Sequence, residues 1–223
     1  LANGTDIKDV FAIEDIIFEV DNKSLTNRPD LWGHYGIARE FAALAGRPLK
    51  PLDTVDLSRY KNLPKVDMKI EDPLCYRYSC LQFENITRNV SPADMRIRLY
   101  YCGMRAMNFL ADLTNYLMLE MGQPMHAFDS RKVEKIRIKR FDTPFEFQTL
   151  DGVERHIDEN TLMICNDNTP VAIAGIMGGL DSEIVEDTHS LTLESATFDA
   201  VSVRKSSARL AHRTDASMRY EKS

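Results

Sequence analysis

Six short apolar runs crowd the stretch between residues 135 and 194: Lys135–Phe141, Phe145–Leu150, Val153–Ile157, Thr161–Cys165, Val171–Ala174 and Ser190–Glu194. Turns join most of them, and Asp151-Gly152 between the second and third is the signal for a type I′ hairpin. Parallel neighbours would need crossovers of roughly a dozen residues or more, which most of these gaps lack. The chain is therefore expected to be α+β, with mostly antiparallel short-stranded sheets and flanking helices. Two further strands are expected upstream, at Val66–Glu71 and Tyr76–Ile86.

Helical punctuation frames these strands. Ser91-Pro92 opens a helix, with serine as N-cap, proline at the first helical position and Asp94 in the first turn, and it ends near Gly103. A second helix spans roughly Asn108–Met121 and is stopped by Gly122 and Pro124, and Asp199 caps a closing helix over Ala200–Leu210. Nearer the start, Val10–Val20 reads as a strand and Lys23–Asp30 as a polar loop. Asp30 is the expected N-cap of a helix over Leu31–Ala45, with Gly46 past its end. Leu31, Tyr35, Ala38, Phe41, Ala42 and Ala45 recur at helical spacing, which gives this helix a buried face. Residues 47–64 carry Pro48, Pro51 and Pro64 among polar residues and read as a linker. The expected division is a small N-terminal helical remnant at 1–46, the proline-containing linker at 47–64, and one module at 65–223. The chain starts at Leu1 rather than Met and stops at Ser223 just after a charged, helical run, so a piece of a longer protein is expected.

Composition narrows the function classes. A net charge of −6 disfavours nucleic-acid binding over the whole surface. Two local runs go against it: residues 131–140 hold six basic side chains against Glu134, and residues 204–223 hold six against Asp215 and Glu221. Such runs are usually solvated faces, though they permit contact with a phosphate backbone. Cys75, Cys80, Cys102 and Cys165 form no CxxC pair, so no metal site is expected, and they read as reduced thiols of a cytoplasmic protein. The longest uncharged apolar run falls far short of the ~20 residues of a membrane helix, so no membrane partner is expected. The phosphate-binding loop GxxxxGK[ST], the zinc helix HExxH and the nucleophile elbow GxSxG are all missing.

Four local patterns remain open on residue chemistry alone. Ala174-Gly175-Ile176-Met177-Gly178-Gly179 follows an apolar strand; it is either a tight turn needing positive φ or a loop whose backbone N–H groups cradle a ligand. His126, on an expected loop Gly122–Asp129 after a helix, is either a satisfied structural histidine or a donor–acceptor at neutral pH. Thr114-Asn115, a polar pair within an apolar helix, faces either solvent or a polar pocket. Glu194 ends the apolar run Leu191-Thr192-Leu193 and is either solvated or marks a pocket.

These segments carry a resemblance. Thr114-Asn115-Tyr116, Gly122–Asp129, Thr149-Leu150-Asp151-Gly152, Ala174–Gly179, Leu193-Glu194-Ser195-Ala196 and Arg213–Glu221 occur in this order. Together they resemble the central editing module of the bacterial-type phenylalanyl-tRNA synthetase β subunit. Thr26–Asp30 and Gly36–Glu40 are similar to the stretch preceding that module, so residues 1–46 would be a remnant of the preceding β-subunit module and 65–223 the editing module. The resemblance implies part of a phenylalanine–tRNA ligase that hydrolyses the ester of mischarged Tyr-tRNA(Phe). It implies no synthetic site here, because ATP and magnesium belong to the whole enzyme with its α subunit, and no cofactor in this piece. The implied partners are the tRNA(Phe) 3′ end and the α subunit.

Residue roles follow by the same resemblance. Glu194 would take the substrate's phenol, Gly175 would meet the same oxygen through its N–H, and Ala174 would flank it. Thr114, Asn115 and His126 would line the ester end, with His126 positioning the attacking water. Thr214 and Ala216 would sit beside the pocket wall. The pattern departs at Phe109, where some members carry a basic residue. That departure keeps a second reading alive, a non-catalytic tRNA-binding or scaffold module with the same fold.

Overall fold

The computed structural model describes residues 2–11 and 13–222. Its strands are β1 (Asp67–Ile70), β2 (Cys75–Phe83), β3 (Met125–Asp129), β4 (Lys135–Lys139), β5 (Phe145–Gln148), β6 (Glu154–Ile157), β7 (Met163–Asn166), β8 (Thr169–Ile173), β9 (Met177–Gly178) and β10 (Leu191–Phe198). Its helices are α1 (Ile7–Val10), α2 (His34–Ala45), α3 (Ala93–Tyr101), α4 (Phe109–Met121), α5 (Ala200–Arg209) and α6 (Asp215–Tyr220). Sheets form in the orders β1-β4-β7-β8-β9, β2-β10-β3 and β5-β6. All pairings are antiparallel except β1 with β4, which the long excursion through β2, α3, α4 and β3 allows to run parallel. The architecture is α+β, as the spacing of the short strands predicts.

The burial pattern explains why each strand sits where it does. In β4 the alternation Lys-Ile-Arg-Ile-Lys buries Ile136 and Ile138 completely and leaves the cations outward. β7 is interior and buries Met163, Ile164 and Cys165 in succession, as a strand covered on both faces must. These residues share one core with Tyr78, Phe128, Ile157, Phe198, Val203 and Tyr220, so both larger sheets, α5 and α6 close on the same interior.

Several local expectations are corrected. Val10–Val20 is not a strand: α1 ends at Val10, and residues 13–22 run unpaired with Ile16 and Phe18 exposed, while Ala12 lies outside the described residues. Ile16-Ile17-Phe18 is a consecutive apolar run and alternates toward no single face. Asp30 does not cap the first long helix. A 3-10 turn at Pro29–Trp32 precedes α2, Gly33 is the N-cap, and Asp30 instead accepts from Arg28 and Arg39. Gly46 does close α2 in the left-handed region. Ser91 likewise gives up the cap of α3 to Pro92, because its hydroxyl donates to buried Asp112 on α4. The β5–β6 turn is not type I′. Leu150 and Asp151 keep negative φ, Gly152 N–H bonds to the Thr149 carbonyl, and only Gly152 is left-handed, as in a type I turn with a glycine bulge.

Residues 29–46 lie against the end of α4. A Cβ on Gly33 would stand 2.2 Å from the Gly122 nitrogen, so two backbones meet where only glycine fits. His34 Nδ1 meets the Leu119 carbonyl at 2.9 Å, and the Arg219 guanidinium and Lys222 ammonium lie over the Trp32 ring at 5.7 and 4.6 Å. Gly33→Ala is expected to destabilise the fold by about 1–3 kcal/mol, the usual range for overpacking against an unyielding neighbour. An unchanged urea midpoint for that variant would mean that Gly33 and Gly122 are not in contact.

Candidate active site

β10 is bonded on both edges, to β2 and to β3. In this register Glu194 faces Cys80 on one side and His126 on the other. Directly paired residues share a sheet face, so the carboxylate and the imidazole lie side by side. The expected loop around His126 is thus a strand, β3, which starts three residues after Gly122 turns the chain out of α4 with φ +77°.

Glu194 is 4% exposed, and its Oε2 accepts from the Tyr78 hydroxyl at 2.8 Å. Burial raises its carboxyl to about 7, while the Tyr78 hydrogen bond pulls the other way. Tyr78 pairs with Ala196, two residues along β10. Its ring therefore reaches Glu194 on the diagonal, with only a methyl group opposite.

A cavity of about 60 Å3 opens beside this pair, walled by Glu194, His126, Gly175, Met177, Ala216 and Tyr220 among others. Gly175 bears out the tight turn at positive φ that the glycine run offered. It turns the chain at φ +70°, and its N–H makes no hydrogen bond to the described residues. An added Cβ would press on Phe198, Tyr220 and Val203 at 3.1–3.2 Å. Gly178 serves His126: a Cβ there would lie 2.6 Å from the imidazole Cε1. The imidazole packs edge-on to Phe128, makes no hydrogen bond among the described residues, and is pushed down to about 4 by burial. It is therefore neutral at pH 7, with one nitrogen able to donate and one to accept.

The other predicted positions fall around this centre. Ala216 is in the wall. Thr214 is not, but it caps α6 and its hydroxyl donates to the Ile176 carbonyl at 2.9 Å, which fixes the wall from behind. Ala174 is buried beside Leu162 and Phe198 rather than in the cavity wall. Thr114 and Asn115 are on α4 outside that wall, the Thr114 hydroxyl donating back to the Ala111 carbonyl. Phe109 begins α4, with the Arg88 guanidinium 5.9 Å from its ring centre. Sequence reasoning missed Tyr78 and Tyr220. Tyr220 lies inside the Arg213–Glu221 motif, but nothing in the local pattern around Tyr78 signals its pairing with β10.

The chain matches the B3/4 domain family over residues 74–223. It is 43% identical over 224 residues to a protein named phenylalanine–tRNA ligase β subunit from Clostridium acetobutylicum, covering 98% of this chain and 28% of that protein. It is 44% identical to the protein of the same name from Solibacter usitatus, covering 93% of this chain and 27% of that one. The chain thus spans under a third of these relatives' length. An N-terminal fragment of the phenylalanyl-tRNA synthetase β-subunit from Pyrococcus horikoshii overlaps it at 17% identity and TM-score 0.42, over 86% of this chain and 59% of that one.

The imidazole gives a direct check. In an NMR titration the His126 ring is expected to change protonation near pH 4 rather than near its ordinary 6.5. The unfolded chain takes up this proton at the higher pH. The group's share of stability is therefore fully present above 6.5 and is lost as pH falls toward 4. A midpoint near 6.5 would place the ring in water, outside the closed wall between β3 and β10.

Proposed function

Since the chain belongs to the B3/4 domain family, and its curated relatives are named phenylalanine–tRNA ligase β subunits, we propose that it is the editing part of such a subunit. It hydrolyses the ester of mischarged Tyr-tRNA(Phe). The observation that carries this reading is the grouping of a buried carboxylate, an unpaired backbone N–H and a neutral imidazole around one small cavity.

The chemistry matches the need. Tyrosine differs from phenylalanine by one hydroxyl, and an apolar pocket rejects an added hydroxyl poorly. A second pocket that demands the hydroxyl does better, because an apolar ring would leave its buried polar groups unpaired, at about 1–3 kcal/mol each. A phenol both donates and accepts. Glu194 supplies the acceptor and the Gly175 N–H the donor. Ala216 leaves space for the ring, Ala174 and Thr214 hold the two ends of the glycine turn, and Thr114 and Asn115 serve the ester end from α4.

Hydrolysis joins a water oxygen to the ester carbonyl carbon and releases the terminal ribose hydroxyl and free tyrosine. His126 holds and orients that water. An imidazole that protonates only near pH 4 is a weak base, so its contribution is position rather than proton removal. No cofactor is needed for this step. The tRNA 3′ end is the substrate-bearing partner, and the α subunit completes the ligase.

In the full-length β subunit assembled with its α subunit, Glu194→Ala is expected to lower kcat/KM for Tyr-tRNA(Phe) deacylation roughly ten- to hundredfold, the loss of one buried hydrogen-bond partner. Unaltered hydrolysis in that variant would remove the phenol contact. A wild-type enzyme that binds but never deacylates Tyr-tRNA(Phe) would instead favour the scaffold reading.

A further inference from the structure

We propose that Tyr78 is a positioning residue for selectivity. Its hydroxyl, held on Glu194 Oε2, orients the carboxyl at the cavity and favours its ionised, accepting form over the protonated one, so that the site reads a phenol and not a phenyl ring. The inference deepens the editing reading and rests on it for the identity of the ligand.

The geometry is the ground for it. Tyr78 and Glu194 are 5% and 4% exposed and bonded at 2.8 Å. The titratable groups around the carboxylate come from three elements: Tyr78, Cys75 and Cys80 from β2, His126 from β3 and Tyr220 from α6. None is a cation at neutral pH: the imidazole is neutral and burial raises both thiols and both phenols. Among the described residues no ion pair compensates the buried charge, and the pull that favours ionisation is the Tyr78 hydrogen bond. A carboxylate offers about four lone-pair positions, so one internal donor leaves room for a second from the ligand. A protonated carboxyl would itself become a donor and compete with the Gly175 N–H for the ligand's oxygen. Tyr78 therefore acts as a permanent internal phenol beside the site of the visiting one. It fixes the carboxyl rotamer and holds one oxygen, and ordered water would do neither as well in so closed a space.

The sign follows from the hydrogen bond. Removing the Tyr78 hydroxyl removes a donor to the charged form, so Glu194 protonates at higher pH. In the assembled enzyme, Tyr78→Phe is expected to shift the rising limb of the pH profile for Tyr-tRNA(Phe) deacylation upward by about one unit. With the Glu194 midpoint starting near 7, that corresponds to a loss of roughly fivefold at pH 7, recovered at alkaline pH. The preference for Tyr-tRNA over Phe-tRNA is expected to narrow at neutral pH and widen again as pH rises. In a Glu194→Gln background, which has no carboxyl to titrate, the same Tyr78→Phe change is expected to leave the pH profile alone. A Tyr78→Phe enzyme with the wild-type profile and wild-type preference overturns the proposal, as does an equal shift in the Glu194→Gln background. Carboxyl 13C titration of Glu194 gives a second readout. An upward shift of its midpoint in Tyr78→Phe supports the proposal even where deacylation fails. An unmoved midpoint overturns it, whatever becomes of the editing reading. Should Tyr78→Phe not fold, the same titration on fluorotyrosine-substituted protein replaces it. A more acidic phenol at position 78 donates more strongly and is expected to lower the Glu194 midpoint, and no change would count against the proposal.

Discussion

Strand β10 is hydrogen-bonded on both edges, and the rest of the site depends on that double pairing. Its register against β3 puts Glu194 beside His126, and its register against β2 puts Tyr78 within reach of the same carboxylate. A one-residue slip on either side would turn the partner side chains to the opposite face of the sheet. β3 has little freedom to slip, because it begins just after Gly122, and Gly122 is held against Gly33 backbone to backbone. Gln123 adds a second restraint, its amide donating to the Ala196 carbonyl on β10 and to the Tyr220 hydroxyl at the cavity wall. The helical segment at residues 29–46 is thus mechanically continuous with the pocket, although it contributes no residue to the cavity wall.

Two groups at the cavity that burial shifts toward their neutral forms pull the pH dependence of stability in opposite directions. His126 prefers to be neutral in the fold, so its contribution fades as pH falls from 6.5 toward 4. Glu194 prefers to be protonated in the fold. Its contribution is fully present below its ordinary 4.5 and is lost as pH rises through about 7. An apolar pair at these positions would show neither liability, and a core built for stability alone would contain one. Under the proposed function these two polar groups at the cavity serve a ligand rather than packing.

The sequence made the short-strand architecture legible because spacing alone excludes crossovers between most neighbours, and it placed α4, α5 and the left-handed caps Gly46 and Gly122 closely. It failed where a side chain had a better partner in three dimensions. Asp30 looked like a cap but met Arg28 and Arg39, and Ser91 looked like a cap but met Asp112. β3 was missed because Gly-Gln-Pro before it and the histidine within it read as loop, while its pairing comes from β10, far along the chain. Glu194, Gly175 and His126 were visible as motif residues. Tyr78 was not, because it reaches the site only through a strand register that no local pattern encodes.

Charge distribution bears on how a polyanionic substrate would be held. The basic run at 131–140 looked available to phosphates, yet Arg131 is bound to Asp129 and Asp187, Arg137 to Asp67, and Arg140 to Asp72. In the second run Arg209 meets Asp158, Arg213 meets Glu221, and Arg219 meets Asp215. Phosphate contact through these side chains would require breaking pairs already formed. Counterion release, the usual source of nucleic-acid affinity, is correspondingly small for them. Lys135, Arg204 and Lys205 are exposed and in no ion pair among the described residues, so they are the cations of the two runs left for phosphate contact. The proposed function leaves the bulk of the affinity for the nucleic acid to the longer part of the β subunit that this chain does not span. Such a division suits an editing site, since tight binding of the polynucleotide there would hold correct and incorrect products alike, and discrimination rests only on what differs between them.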